Sequence, residues 1–403
     1  RKCNILLAFS TDSFNEYLKD VEDNGIVIYD QKDITLTQEQ EHYIKDKNIS
    51  SIFLDSENIA VQAGGIKIMS NVVMLGFVWR ILNLDIDVLV DIVLDHFKTK
   101  NIDLEAEEKC IRAGYNSPTF RPELKEKINT PKSQLFKQSN YVMTGNHALS
   151  LGAIASGVRA YYGYPMTPAT TIFKYLGDTA HETGLLVKQA ENEITAVQLA
   201  LGSMYMGTRA LVGTSGGGFD LMTETLSCAG ISETPLVIFL SQRTGASTGL
   251  PTWTGAGDLE VALYGGHGEF PRCILAASDA QSSYTLIQKA FNIAETYQIP
   301  VILLSEKQIS ESIYSMKDIP KNIPIQRNIK ENLEGNEERF EITETGVSSR
   351  WLPSKEKKPY LSNSDEHWVD GTSEESSERA IQMSDKRMRK LETLTQDIPE
   401  PIL

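Results

Sequence analysis

Residues 185–218 read LLVKQAENEITAVQLALGSMYMGTRALVGTSGGG, and this stretch decides the fold. Leu185-Leu186-Val187 is a short apolar run, Glu191 to Met206 carries helical spacing, and Arg209-Ala210-Leu211-Val212 is a second apolar run closed by the glycine-rich turn 213–218. Two strands joined through a helix lie parallel, because a parallel pair needs a long crossover. The alternation continues outward. Phe219 to Ala229 reads as a helix, Pro235 to Leu240 and Cys273 to Leu275 as strands, Gln281 to Ala294 as a helix and Pro300 to Leu304 as a strand. The block 141–320 is therefore expected to be a doubly wound α/β domain, a parallel sheet covered by helices on both faces.

The flanks differ in composition. Residues 1–115 read as a smaller α/β unit, with strands at Cys3 to Phe9, Gly25 to Tyr29 and Ser51 to Leu54 and helices at Met69 to Leu82 and Ile86 to Phe97. Residues 116–140 are polar and contain Pro118, Pro122 and Pro131, the composition of a linker. Residues 321–403 are charged and irregular, with an exposed helix expected from Arg379 to Leu391, ending at Pro399.

At 403 residues the chain has room for two or three domains of roughly 150 residues. Its net charge of -15 argues against nucleic acid and anionic membrane surfaces, both of which need a basic face. Four cysteines, none in a Cys-x-x-Cys pair, signal neither a zinc ribbon nor an iron–sulfur cluster and suit a reducing compartment. With no apolar run of membrane-spanning length, the chain is expected to be cytoplasmic.

Three places could carry chemistry. Glu191-Asn192-Glu193 sits where a strand hands over to a helix, outside a strand's carboxyl end, where ligands of α/β sheets lie; for Glu191 a capping role is the simpler reading. Gly213-Thr214-Ser215-Gly216-Gly217-Gly218 turns from strand to helix and lets backbone approach an anion or a flat ring, but lacks the lysine of a nucleotide loop. It also fits the Gly-x-Ser-x-Gly elbow of serine hydrolases, with Asp258 and His267 in chain order, although that acid and histidine stand only a few residues apart. Tyr164-Pro165-Met166-Thr167-Pro168 is stiffened by its prolines, and Arg243 follows a strand next to a glycine-rich loop, suited to fork a carboxylate. The six histidines show no metal spacing.

Taken in order, Tyr164-Pro165-Met166-Thr167-Pro168, Gln189-Ala190-Glu191-Asn192-Glu193, Thr214-Ser215-Gly216-Gly217-Gly218-Phe219, Gln242-Arg243-Thr244-Gly245 and Tyr264-Gly265-Gly266-His267-Gly268-Glu269-Phe270-Pro271-Arg272 resemble the alpha subunit of the 2-oxoacid:ferredoxin oxidoreductases. Thr345 to Arg350, Ser364 to His367 and Lys386 to Leu391 match as well, and Arg112-Ala113-Gly114-Tyr115 resembles the end of the gamma-type domain fused ahead of many such subunits. The resemblance implies a pyrimidine-binding domain of a thiamine diphosphate enzyme at 141–320. It makes Glu193 the catalytic carboxylate, places Thr214, Ser215 and Gly216 at the cofactor with Glu193, and assigns Thr167 and Arg243 to a 2-oxoacid of the 2-oxoglutarate or pyruvate class. It also implies oxidative decarboxylation to an acyl-CoA, with electrons passed to ferredoxin. The magnesium–diphosphate site and the iron–sulfur cluster are then expected on a beta partner, without which the chain is inactive.

Some positions depart from the family pattern: Gly217 and Ala246 replace prolines, Gly255-Ala256 a Glu-Gln pair, and His147 and Thr171 glutamates. The gamma-type unit lacks its glycine-rich opening, and the chain stops where a further alpha domain is expected, so it reads as truncated or divided. The competing readings are a serine hydrolase using Ser215, a non-catalytic scaffold and a non-oxidative thiamine enzyme.

Overall fold

The computed structural model describes residues 2–30, 34, 36–128, 141–333 and 337–398. The chain forms two compact units, Arg1–Leu135 and Phe136–Leu403.

In the first unit three parallel strands, β1 (Cys3–Ala8), β2 (Val21–Tyr29) and β3 (Ser50–Phe53), form a sheet with β2 at its centre. Side chains alternate across a strand. Val27 accordingly faces a small cluster with Phe14 of α1 (Thr11–Tyr17) and, beside α2 (Gln38–Asp46), Ile49, whereas Ile26 and Ile28 face the larger cluster. That larger cluster is built with α3 (Ser56–Gln62), α4 (Ser70–Ile81), α5 (Ile86–Phe97) and α6 (Leu104–Tyr115). The α4–α6 crossing is close enough that a Cβ on Gly114 would stand 2.0 Å from the Val73 carbonyl oxygen, so the site admits only glycine. The stretch expected as a linker is partly folded: Ser117 is buried, Phe120 packs edge-on against Phe77, and α7 (Glu123–Lys127) buries Leu124. Its remainder, residues 129–140, lies outside the described residues, as does the tail from Pro399.

The second unit opens with β4 (Tyr141–Thr144) and α8 (Gly145–Ala155). Then come β5 (Ala160–Gly163), α9 (Thr170–Thr183), β6 (Leu186–Gln189), α10 (Glu193–Tyr205), β7 (Ala210–Thr214), α11 (Gly216–Asp220), α12 (Thr223–Ile231) and β8 (Leu236–Gln242). α13 (Leu259–Tyr264), β9 (Cys273–Ala276), α14 (Ala280–Tyr297), β10 (Pro300–Glu306), α15 (Lys307–Glu311), β11 (Ile313–Met316) and α16 (Ser377–Leu394) complete it. Six of these strands form a parallel sheet in the order β6-β5-β7-β8-β10-β9. β7 and β8 are buried at every residue, the signature of a sheet covered on both faces. The chain runs from β5 to β6 on one side and then crosses back to β7 on the other. The order therefore reverses between β5 and β7, and this topological switch opens a crevice at the strands' carboxyl ends.

Three expectations change. The single helix expected over Phe219 to Ala229 is two, α11 and α12, because the chain between them tightens to i→i−3 hydrogen bonds, Leu221 N–H to the Gly218 carbonyl and Met222 N–H to the Phe219 carbonyl. The extension after 321 is irregular but fastened. Glu295 of α14, fully buried, binds Arg209 Nε at 2.7 Å, Arg327 Nε at 2.9 Å and Arg350 Nη1 at 3.3 Å, tying residues 327 and 350 to the sheet domain. The helix expected to be exposed near its end, α16, buries Met383, Lys386, Lys390 and Leu394. Its two lysines are accommodated by Glu233 of the loop before β8. No single described helix is long and apolar enough to cross a membrane.

Candidate active site

Four strand ends meet at the switch. From β5 the chain leaves through Tyr164-Pro165-Met166-Thr167-Pro168, with the Thr167–Pro168 peptide cis. Asn146 of α8 holds this turn by donating from Nδ2 to the Pro168 carbonyl (2.9 Å) and to Thr171 Oγ1 (2.6 Å). Thr171 thus serves as a partner for the asparagine. His147, the other departure on this side, lies over Tyr175 with ring centroids 4.8 Å apart, and burial followed by Lys174 lowers its pKa.

From β6 the chain reaches Asn192, whose side chain caps α10 by accepting from the Thr195 N–H at 2.9 Å. That cap fixes the helix start two residues later than its spacing suggests and separates the two carboxylates. Glu191 is exposed and accepts from Thr195 Oγ1, and hydrogen bonds from its own backbone and Thr195 lower its pKa; the capping role expected of it falls to Asn192 instead. Glu193 is 3% exposed, and its Oε1 is buried without a hydrogen-bond partner among the described residues.

From β7 come Thr214 and Ser215, both fully buried, and then the glycines. Gly218 lies against the carboxylate: a Cβ there would stand 2.7 Å from Glu193 Oε1 and 2.1 Å from Thr214 Oγ1. Thr214 Oγ1 in turn lies 4.0 Å from Met166 Sδ, linking the glycine turn to the proline-stiffened loop. From β8 comes Arg243, 9% exposed, whose Nη1 donates to the Thr167 carbonyl at 2.7 Å. The structure thus brings Glu193, Thr214, Thr167 and Arg243 into one continuous set of contacts with Ser215 and Gly216. Thr167 and Arg243 meet through the threonine's backbone.

Two participants were not assigned a role by the thiamine-family reading. Gly218 is the glycine that makes room for the carboxylate; its place in a run of three identical residues hid it. Asp258 shares a cavity of about 150 Å³ with Arg243, Gly216 and Gly217. A chain position sixteen residues past Gln242 gave no sign of this, whereas the structure shows Gln242 Oε1 accepting from the Asp258 N–H at 2.8 Å. The serine-hydrolase arrangement is not assembled: among the described residues Ser215 Oγ has no hydrogen-bond partner, so no histidine engages it.

A buried carboxylate oxygen without a partner, facing a turn of glycines, fits a flat heterocycle offering a ring nitrogen. Residues 151–391 match the family described as pyruvate flavodoxin/ferredoxin oxidoreductase, thiamine diP-bdg, and residues 1–117 match pyruvate ferredoxin/flavodoxin oxidoreductase. The chain belongs to this family. Among its relatives in the pyruvate and 2-oxoacid:ferredoxin oxidoreductases, 2-oxoacid:ferredoxin oxidoreductase 1, subunit alpha, of Sulfurisphaera tokodaii is 31% identical across 99% of this chain and 70% of its own. The 2-oxoglutarate synthase subunit KorA of Methanothermobacter marburgensis is 38% identical over 41% of this chain and 44% of its own. The solved 2-oxoglutarate:ferredoxin oxidoreductase of Magnetococcus marinus, with 2-oxoglutarate, coenzyme A and succinyl-CoA bound, superposes with a TM-score of 0.85 at 26% identity, over 100% of this chain and 70% of that one. The thiamine-binding fold expected from the sequence is the fold of this family.

Proposed function

We propose that the chain is the alpha subunit of a 2-oxoacid:ferredoxin oxidoreductase, with 2-oxoglutarate as the first substrate to test and pyruvate the second. The overall reaction consumes a 2-oxoacid, coenzyme A and two oxidised ferredoxins and yields an acyl-CoA, carbon dioxide, a proton and two reduced ferredoxins. The relatives named as 2-oxoglutarate synthase and the solved 2-oxoglutarate enzyme support the substrate order. The relatives' designation as an alpha subunit supports a beta partner, to which we assign the diphosphate–magnesium site and the iron–sulfur cluster. We assign the thiamine half to 141–320 and a gamma-type unit to 1–115; the family matches at 1–117 and 151–391 support two units in this order.

Bound thiamine diphosphate supplies a nucleophilic carbon and an electron sink for decarboxylation. Glu193 Oε1 holds and returns a proton at the cofactor's ring nitrogen, and the burial of this carboxylate keeps competing water away. The glycine turn brings backbone, rather than side chains, against the ring. Arg243, fixed by its bond to the Thr167 carbonyl, presents its remaining guanidinium donors to the oxoacid's carboxylate. We assign the Thr167 hydroxyl to the ketone, as the family resemblance implies.

The observation that carries this reading is the buried Oε1 of Glu193, without a partner among the described residues, beside Gly218 at the sheet's switch point. Its test is the complex purified from the native source, assayed for coenzyme A-dependent viologen reduction with 2-oxoglutarate and pyruvate. Activity that Glu193→Gln reduces at least a hundredfold supports the reading; an active complex indifferent to that substitution overturns it.

A further inference from the structure

Asp258 is an acid without an obvious structural task. It stands immediately before α13, yet its side chain makes no hydrogen bond to that helix's first turn. Its position is set through its backbone, whose N–H is held by Gln242, itself anchored by donating to the Ser305 carbonyl. Its Oδ2 is buried and has no hydrogen-bond partner among the described residues. The carboxylate closes over the glycine turn so tightly that a Cβ on Gly216 would stand 2.8 Å from Oδ2 and 2.9 Å from Oδ1. It lines the same cavity of about 150 Å³ as Arg243, but the two make no direct ion pair. The charged groups acting on it are Arg243 after β8 and Asp220 at the end of α11; the loop 245–247 over the cavity carries none, and Glu260 on its own helix is exposed.

We propose that Asp258 is the counter-ion of Arg243 before substrate arrives, and that it takes up one proton from solvent when the 2-oxoacid's carboxylate claims the guanidinium. This rests on the function proposed above. The physical reason is charge balance in a small cavity in which Arg243 and Asp258 Oδ2 are both buried: one guanidinium can compensate one carboxylate there, not two. Burial, then Asp220, already push Asp258 upward from the usual carboxylate range, with Arg243 pulling the other way. A second anion on Arg243 removes that pull. Substrate binding is then linked to protonation, and the oxoacid binds less well as pH rises.

The test is the pH dependence of KM for the 2-oxoacid in the intact complex, with coenzyme A and viologen saturating. In the wild type KM rises with pH, by up to roughly tenfold per unit, above the pKa of Asp258 in the substrate-free enzyme, while kcat changes far less. Asp258→Asn flattens the KM profile. Asp220→Asn, a surface substitution that leaves Asp258 in place, shifts the rise to lower pH because a repulsive charge has been removed. An active wild type with a flat KM profile overturns the inference. So does a rise that survives Asp258→Asn, or one that Asp220→Asn leaves in place should Asp258→Asn fail to fold. A wild-type complex that oxidises no 2-oxoacid instead overturns the functional reading on which the inference stands.

Discussion

Gly218 and Glu193, 25 positions apart, meet so closely that a Cβ on the glycine would lie 2.7 Å from the glutamate's Oε1 and 2.8 Å from its Cγ. One element comes from the β6 end and the other from the β7 end, so the switch between them is what makes the pocket. Gly218→Ala forces either the carboxylate or the Thr214 hydroxyl aside. The expected outcome is a loss of thiamine diphosphate binding by at least tenfold, with a cost in stability of about 1–3 kcal/mol for overpacking. Calorimetric titration of the complex with the cofactor, beside a urea melt, checks both.

Glu193→Gln keeps the shape and removes the base. The fold is expected to persist, because among the described residues Oε1 accepts no hydrogen bond that the amide would break. The turnover number is expected to fall by about 10²–10⁴, the ordinary range for a positioned acid–base group. Steady-state assay together with circular dichroism distinguishes this from unfolding.

Arg243→Lys retains the charge but loses the fork. Lysine cannot hold the Thr167 carbonyl and grip a carboxylate in the same geometry. KM for the 2-oxoacid is expected to rise about tenfold or more, as befits a lost charge-assisted hydrogen bond of about 1.5–3 kcal/mol. The measurement is KM for the oxoacid beside KM for coenzyme A, which should hold steady.

Glu233 is fully buried with Lys386 and, at 2.5 Å, Lys390, while buried Arg339 donates to the Glu233 backbone carbonyl at 3.1 Å. Three cations thus surround one anion. Burial alone would raise the Glu233 pKa, but Lys386, Lys390 and Arg339 hold it well below the usual range. Glu233→Gln leaves the cations uncompensated and is expected to cost about 3–5 kcal/mol; Lys386→Met leaves the carboxylate with Lys390 and Arg339 and should cost much less. A urea melt of each variant decides the order.

The same cluster sets a pH dependence. Burial lowers the Lys386 pKa from 10.5 to about 7. Between those values the unfolded chain binds the extra proton, so this group makes stability rise with pH from about 7 toward 10.5 and gives its lowest contribution below 7. Unfolding midpoints across that window should climb in the wild type and lose part of their slope in Lys386→Met.

Much of this protein is written locally. Apolar runs mark β7, β8 and β10, because a strand buried on both faces has little choice but continuous apolar sequence. Helical spacing places α5 at Ile86–Phe97, as the sequence predicts. Glu193, Thr167 and Arg243 stand out as chemistry at strand ends, and the order of motifs is specific enough to name the family. What the sequence lacks is distance. Which of Glu191 and Glu193 is buried depends on where the Asn192 cap starts the helix. Gly218 is set apart from Gly216 and Gly217 by contact with Glu193 across the switch. Asp258 acquires a role from sharing a cavity with Arg243. The lysines of α16 look like a solvated face, since charge favours water unless a partner is at hand; Glu233, 153 positions before Lys386, is that partner. Periodicity reports how a segment meets its surroundings, and only the fold determines what those surroundings contain.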